Sequence, residues 1–120
     1  MQLLKFATLG LALLLSAAAI SAQDAKPQPA LTLERTACFG SCPIYTVAIY
    51  DDGTVVYQGE RFVDVTGEQT SQIDPATVQM AVEAFADAGY FEWDESYTAM
   101  YVTDLPSVIS SVTRDGETHR

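Results

Sequence analysis

The sequence C-F-G-S-C-P-I-Y at residues 38–45 decides the fold, because it contains both cysteines and separates two strand-like segments. An extended backbone would place the two cysteine Cα atoms about 13 Å apart, whereas a disulfide requires them within roughly 7 Å. Gly40 permits the tight loop that a bond between Cys38 and Cys42 demands, and Pro43 suits the start of a strand. The stretch therefore predicts a bridged loop, whose closure would stabilise the fold by about 2 kcal/mol.

Two strands and a hairpin turn are predicted around this loop. Residues 31–36 alternate apolar and polar side chains, which is typical of a half-buried strand. Residues 44–50 are rich in β-branched and aromatic side chains and predict a second strand. Asp51-Asp52-Gly53 predicts a hairpin turn into a third strand over residues 54–58.

The next segment predicts an irregular continuation of the sheet. Gly59-Glu60 permits a bulge or bend, after which we expect residues 61–65 to continue the strand. Thr66-Gly67 predicts a second turn, and residues 68–73 predict a more polar strand near an edge of the sheet.

A helix is predicted after this strand. Asp74 can cap free N–H groups, and Pro75 suits the first helical position because it has no N–H. The apolar face comprises Val78, Ala81, Val82, Phe85 and Ala88, which recur at helical spacing. Gly89 supplies the left-handed residue that ends the helix.

The last segment predicts a further hairpin. Residues 107–113 form a strand, Arg114-Asp115-Gly116 a turn, and residues 117–120 the beginning of a return strand. Together the elements predict an α+β fold, with a mostly antiparallel sheet of about five strands and one helix packed on one face.

The first 22 residues have the three parts of a secretory signal peptide. Lys5 precedes an apolar run over residues 6–15, and small residues follow up to Ala22, after which we expect cleavage, with Ala19 as the alternative. The run is short for a membrane span, so we expect no stable membrane insertion. We therefore predict an exported, periplasmic or extracellular protein with a flexible leader over residues 23–30 and one domain over residues 31–120.

The composition is that of an acidic globular protein, with 48% hydrophobic and 18% charged residues and a net charge of −10. Removal of residues 1–22 takes away one lysine and no acid, which leaves five basic against 16 acidic residues. So acidic a chain repels phosphate backbones, which makes nucleic acid a poor partner.

The cysteine pair also permits reactive chemistry. Thiol redox pairs usually have two residues between the cysteines and a helix beside them, whereas this pair has three and lies between strands. A C-x-x-x-C-P sequence resembles the copper-binding stretch of thioredoxin-like copper chaperones, but these also need a distant histidine. His119 is the single histidine, and a catalytic cysteine would need it as a base. The sequence therefore favours a structural disulfide, with no metal, cofactor or catalytic residue assigned.

Two groups of acidic residues are further candidates for a site. Residues 90–97 interleave aromatics with acids, as sugar-binding or cation-binding surfaces do, but we expect Phe91 and Trp93 to close the core while the acids face water. Asp94, Glu95 and Asp104 would serve a hydrolytic enzyme if they met in space, although no spacing in the sequence requires it.

A family resemblance rests on several motifs. They are C-F-G-x-C-P-x-Y at 38–45, preceded by L-E-R-T-A at 33–37, then D-G-T-V at 52–55, G-E-R-F-V at 59–63 and T-D-L-P at 103–106. With these motifs, residues 31–119 resemble a family of secreted bacterial domains of unknown function. The resemblance implies an exported domain, and many members continue past this endpoint, so we expect the domain to be incomplete at its C-terminal end.

The sequence thus predicts a small exported domain that binds or supports other molecules without catalysis, with an envelope protein as a candidate partner. The alternative is an envelope thiol-redox or copper-binding protein that uses Cys38 and Cys42.

Overall fold

The computed structural model describes residues 26–98 and 104–120. The predicted signal peptide, residues 1–22, lies outside these ranges. The elements in chain order are β1 (Leu31–Arg35), β2 (Ile44–Ile49), β3 (Thr54–Arg61), β4 (Gly67–Gln72), α1 (Pro75–Asp87), a 3₁₀ turn (Tyr90–Glu92), β5 (Val108–Arg114) and β6 (Glu117–His119).

The six strands form one antiparallel sheet in the order β4-β3-β2-β1-β5-β6. This confirms an α+β fold, with one α-helix beside a mostly antiparallel sheet in residues 26–98 and 104–120. The strand count is six rather than about five, because the short segment Glu117–His119 pairs fully with the end of β5.

Strand β1 connects the two halves of the sheet. It pairs with β2 on one side and with β5 on the other, so that Leu31 lies opposite both Ile49 and Val112. Ala30 extends both ladders, because its N–H donates to Ile49 and its carbonyl accepts from Thr113. The end of the predicted leader is therefore held by the sheet, and Ala30 is buried.

The predicted hairpin turn at residues 51–53 joins β2 to β3. The backbone N–H of Thr54 donates to the carboxylate of Asp52 at 2.9 Å, and hydrogen bonds from Thr54 lower the pKa of Asp52. Gly53 has a φ of +83°, and an added Cβ there would overlap the carbonyl oxygen of Ile73. The turn is therefore packed against the end of β4 and requires glycine.

The structure confirms the predicted bulge in β3 but not the predicted strand after it. Ile44 pairs with Arg61 and Tyr45 with Gly59, so Glu60 is the extra residue of the bulge. The predicted strand over residues 61–65 is wrong, because β3 ends at Arg61. Phe62 adopts a φ of +55°, which turns the chain out of the ladder.

Helix α1 begins and ends as predicted. The Asp74 carboxylate accepts a hydrogen bond from the N–H of Ala76 at 2.8 Å, and Gly89 follows the helix with a φ of +79°. Val78 and Val82 are buried against the sheet, whereas Phe85 at the end of the same stripe is 38% exposed. In the described part of the chain, no helix has the length and apolar character needed to cross a membrane.

The core is small and is closed by Tyr90. Among the described residues, the buried apolar set comprises Ala30, Val78, Val82, Tyr90 and Val112. The Tyr90 ring contacts Phe85, Trp93 and His119 at centroid distances of 5.1 to 5.4 Å, and its hydroxyl is 2.7 Å from the Ser110 hydroxyl. We call the face of the sheet that carries Val112 and Leu31 the helix face.

Two substitutions of Tyr90 will separate the contribution of its ring to stability from the contribution of its hydroxyl. Tyr90→Phe removes one part-buried hydrogen bond and should lower the free energy of unfolding by about 1 kcal/mol. Tyr90→Ala also removes the buried ring and should cost about 3 kcal/mol or more in urea denaturation. Phe39→Ala is the matched control, because Phe39 is 89% exposed and its loss should change stability by less than about 0.5 kcal/mol. Equal effects of Tyr90→Ala and Phe39→Ala would contradict this packing.

Alanine at Gly53 will test the close contact in the turn. Gly53→Ala combines a positive φ with steric overlap at Ile73, whereas Gly67 has a φ of +85° and open space around it. We expect Gly67→Ala to cost about 1 kcal/mol and Gly53→Ala at least about twice that in urea denaturation. If the two variants were equally stable, the proposed overlap at Gly53 would be absent.

Candidate functional site

The cysteine loop lies between β1 and β2. Cys38 and Cys42 are joined as a disulfide with their Cα atoms 5.7 Å apart, and both residues are half-buried. Gly40 has a φ of +147°, and its N–H donates to the Cys38 carbonyl at 3.0 Å. The described residues contain no free cysteine.

The loop is tied to the segment that precedes β5. The N–H of Phe39 donates to the Asp104 carbonyl at 3.3 Å, and the N–H of Thr36 donates to the Ser107 carbonyl at 3.1 Å. The N–H of Ser107 donates in return to the Thr36 hydroxyl at 2.7 Å. The disulfide thus closes a corner where β1, β2 and the approach to β5 meet, and Phe39 projects from this corner into solvent.

The structure separates His119 from the cysteines. His119 lies opposite Val112, which lies opposite Leu31 at the start of β1, whereas Cys38 follows the end of β1. A five-residue strand spans about 13 Å, so the histidine and the disulfide lie at opposite ends of the sheet. His119 instead packs edge-on against Tyr90. Within residues 26–98 and 104–120, no group of three or more His, Cys, Asp or Glu residues could hold a metal ion.

The three carboxylates considered for catalysis do not line a common depression. Asp94, Glu95 and Asp104 are all exposed. Asp94 and Glu95 line a groove of about 660 Å³ beside β5, whereas Asp104 is not among its lining residues. One wall of this groove is formed by residues 93–98 and the other mainly by residues 105–110, and residues 99–103, which join them, lie outside the described ranges.

A second depression, of about 480 Å³, lies over the other half of the sheet. We call it the aromatic depression, and it is lined by Pro43, Tyr45, Tyr57, Phe62, Val63, Asp64, Val65 and Gln69. The rings of Tyr45 and Tyr57 are 5.8 Å apart and tilted by 34°. Phe62 and Val65 are about half exposed, at 52% and 47%.

The sheet fixes the position of the two tyrosines. Tyr57 pairs with Val47 on one side and Gln69 on the other, and Tyr45 pairs with Gly59. Cross-strand partners share a face and alternate residues return to it, so both tyrosines lie on the helix face. Helix α1 packs on β5, and the core beneath it includes Leu31 and Ile49. Tyr45 lies at the opposite end of β2 from Ile49, so the aromatic depression is displaced from this core.

The bend after β3 forms the remaining wall. The Tyr57 hydroxyl donates to the Val65 carbonyl at 3.1 Å. This carbonyl lies directly over Gly59, where a Cβ would overlap it. The guanidinium carbon of Arg61 lies 5.8 Å from the centre of the Phe62 ring, which is cation–π distance. The bend lies close to the sheet because Gly59 has no side chain there and Tyr57 binds the Val65 carbonyl.

Sequence reasoning missed this depression because its parts come from four separate segments. The loss of the strand after Arg61 depends on the positive φ of Phe62, for which the side chain gives no signal. The sequence did predict the two strands, over residues 44–50 and 54–58, that contain Tyr45 and Tyr57. The register that brings the two tyrosines together on one face is visible only in the fold.

Comparison with known proteins identifies one family. A family model for the domain of unknown function DUF6438 matches residues 29–120. No curated protein and no solved structure gives a significant match to the chain. Because the match covers most of the sequence, the chain belongs to the DUF6438 family.

Proposed function

We propose that this protein is an exported, non-catalytic binding domain in which the Cys38–Cys42 disulfide is a fixed structural corner. The observation that carries the proposal is the position of the disulfide, which closes a loop between two neighbouring antiparallel strands. Reactive cysteines usually lie at a helix N-terminus or beside a cationic group that stabilises the thiolate. Both elements flanking this loop are strands, which supports a structural role.

The binding part of the proposal is supported by the exposed surface. Large apolar side chains that a stable small domain would normally bury are exposed at Phe39, Phe62, Trp93 and Leu105. Three of them line or border a depression, since Phe62 lies in the aromatic depression and Trp93 and Leu105 line the groove beside β5. Exposed apolar surface within depressions is typical of sites that bind another molecule.

The proposed location follows from the signal-peptide pattern of residues 1–22 and agrees with a disulfide, because such bonds persist in oxidising compartments. An envelope protein is the candidate partner class. A redox or copper function through the two cysteines remains the competing interpretation, and the state of the thiols distinguishes it from the structural role.

Intact-mass analysis of the purified protein will test the structural role. We expect a mass two hydrogen atoms below that of the reduced chain, no alkylation until reductant is added, and no bound copper. After reduction, two alkyl groups should be added. Freely alkylated thiols, or copper in the purified protein, would overturn the proposed function in favour of the competing one.

The double variant Cys38→Ser/Cys42→Ser will measure the contribution of the bond. Loss of the disulfide should lower the free energy of unfolding by about 2 kcal/mol, because the unfolded chain is no longer constrained by a short loop. The reduced wild-type protein is the matched control and should be as stable as the variant. An unchanged free energy of unfolding would show that the bond does not stabilise the corner.

A further inference from the structure

The aromatic depression offers ring faces on a rigid base. Tyr45 and Tyr57 are fixed by the strands, and the hydroxyl of Tyr57 is held by the Val65 carbonyl. Phe62 is held out of the ladder by its backbone conformation and is 52% exposed. Aromatic faces carry partial negative charge and attract cations that have an apolar surface.

The residues that line the depression favour a cation over an anion. Among the described residues that line it, the single ionised side chain is the carboxylate of Asp64. None of the described lining residues is a lysine, arginine or histidine, and the arginines beside it, Arg61 next to the Phe62 ring and Arg35 opposite Tyr45, lie outside the lining set. The whole chain has a net charge of −10, which raises the local concentration of cations.

Arg61 lies within cation–π distance of the Phe62 ring. Its guanidinium carbon lies 5.8 Å from the ring centre although the side chain is free to reach solvent. Arg35 lies opposite Tyr45 across the strands but is not among the lining residues. Arg61 therefore lies near one of the three lining rings, and a ligand cation would contact the part of Phe62 that Arg61 leaves uncovered.

We propose that the aromatic depression binds a small organic cation of the quaternary ammonium class. The ring faces of Tyr45, Tyr57 and Phe62 would contact the methyl groups of the ligand, and Asp64 would balance its charge. This inference rests on the proposed binding function and names its ligand class. A neutral sugar, which would use Asp64 and Gln69 as hydrogen-bond partners, is the competing occupant.

Titration with choline chloride and with its neutral isostere 3,3-dimethyl-1-butanol will test the charge requirement. The two probes have the same shape, so apolar filling alone would bind them equally. At low ionic strength we expect saturable binding of choline, with NMR shifts at the rings of Tyr45, Tyr57 and Phe62. The isostere should bind about tenfold more weakly. Equal affinity for both probes, or saturable binding of methyl glucoside at these rings instead, would overturn the proposal.

Two variants will locate the interaction. Asp64→Asn should weaken choline binding by about two- to fivefold without changing the affinity for the isostere. The control variant Asp51→Asn, in the β2–β3 turn, should leave the affinities for both probes unchanged. Phe62→Leu keeps apolar surface but removes the ring, and should weaken choline binding by about fivefold. Both altered positions are exposed, and urea denaturation will verify folding. Unchanged choline affinity in both variants would place any binding elsewhere and overturn the proposal.

The outcomes also separate this inference from the proposed function. If choline does not bind while the cysteines prove inert and paired, the ligand assignment is wrong and the proposed function stands. If the cysteines prove reactive or bind copper, the proposed function is wrong whatever the titration shows.

Discussion

The packing of Tyr90 is the interaction on which the rest of the fold depends. Tyr90 begins the 3₁₀ turn, its ring lies between Phe85 at the end of α1 and His119 of β6, and its hydroxyl contacts Ser110 of β5. Among the residues that the structure describes, the other buried side chains between the helix and the sheet are Val78, Val82 and Val112. A domain of this size buries little apolar surface, so one buried aromatic ring contributes a large share of its stability.

This arrangement divides the helix face into a covered half and an open half. A helix of 13 residues is about 20 Å long and about 10 Å wide, whereas six strands extend over about 24 Å. One helix therefore covers part of the face, and α1 lies over β5. The bend over Phe62–Val65 shields the opposite end incompletely, which leaves the aromatic depression. The disulfide corner stabilises a third region, where the chain passes from β1 to β2.

Local signals in the sequence predicted most elements of this fold. Asp74 and Pro75 marked the start of the helix, Asp52 and Gly53 marked the first hairpin, and the polar composition of β4 indicated an edge strand. The missed features depend on contacts between distant residues. Tyr90 belongs to a stretch where aromatics alternate with acids, and nothing local distinguishes it as the buried ring. The aromatic depression likewise depends on strand register and on one positive φ.

Native-state amide hydrogen exchange tests the central claim, that the covered half of the sheet carries the stability and the open half is available to a ligand. Both β1–β5 and β2–β3 are interior strand pairs, so the comparison is free of edge effects. We expect slower exchange for amides shared between β1 and β5, beneath α1, than for those shared between β2 and β3. Equal or slower exchange in the β2–β3 pair would contradict it.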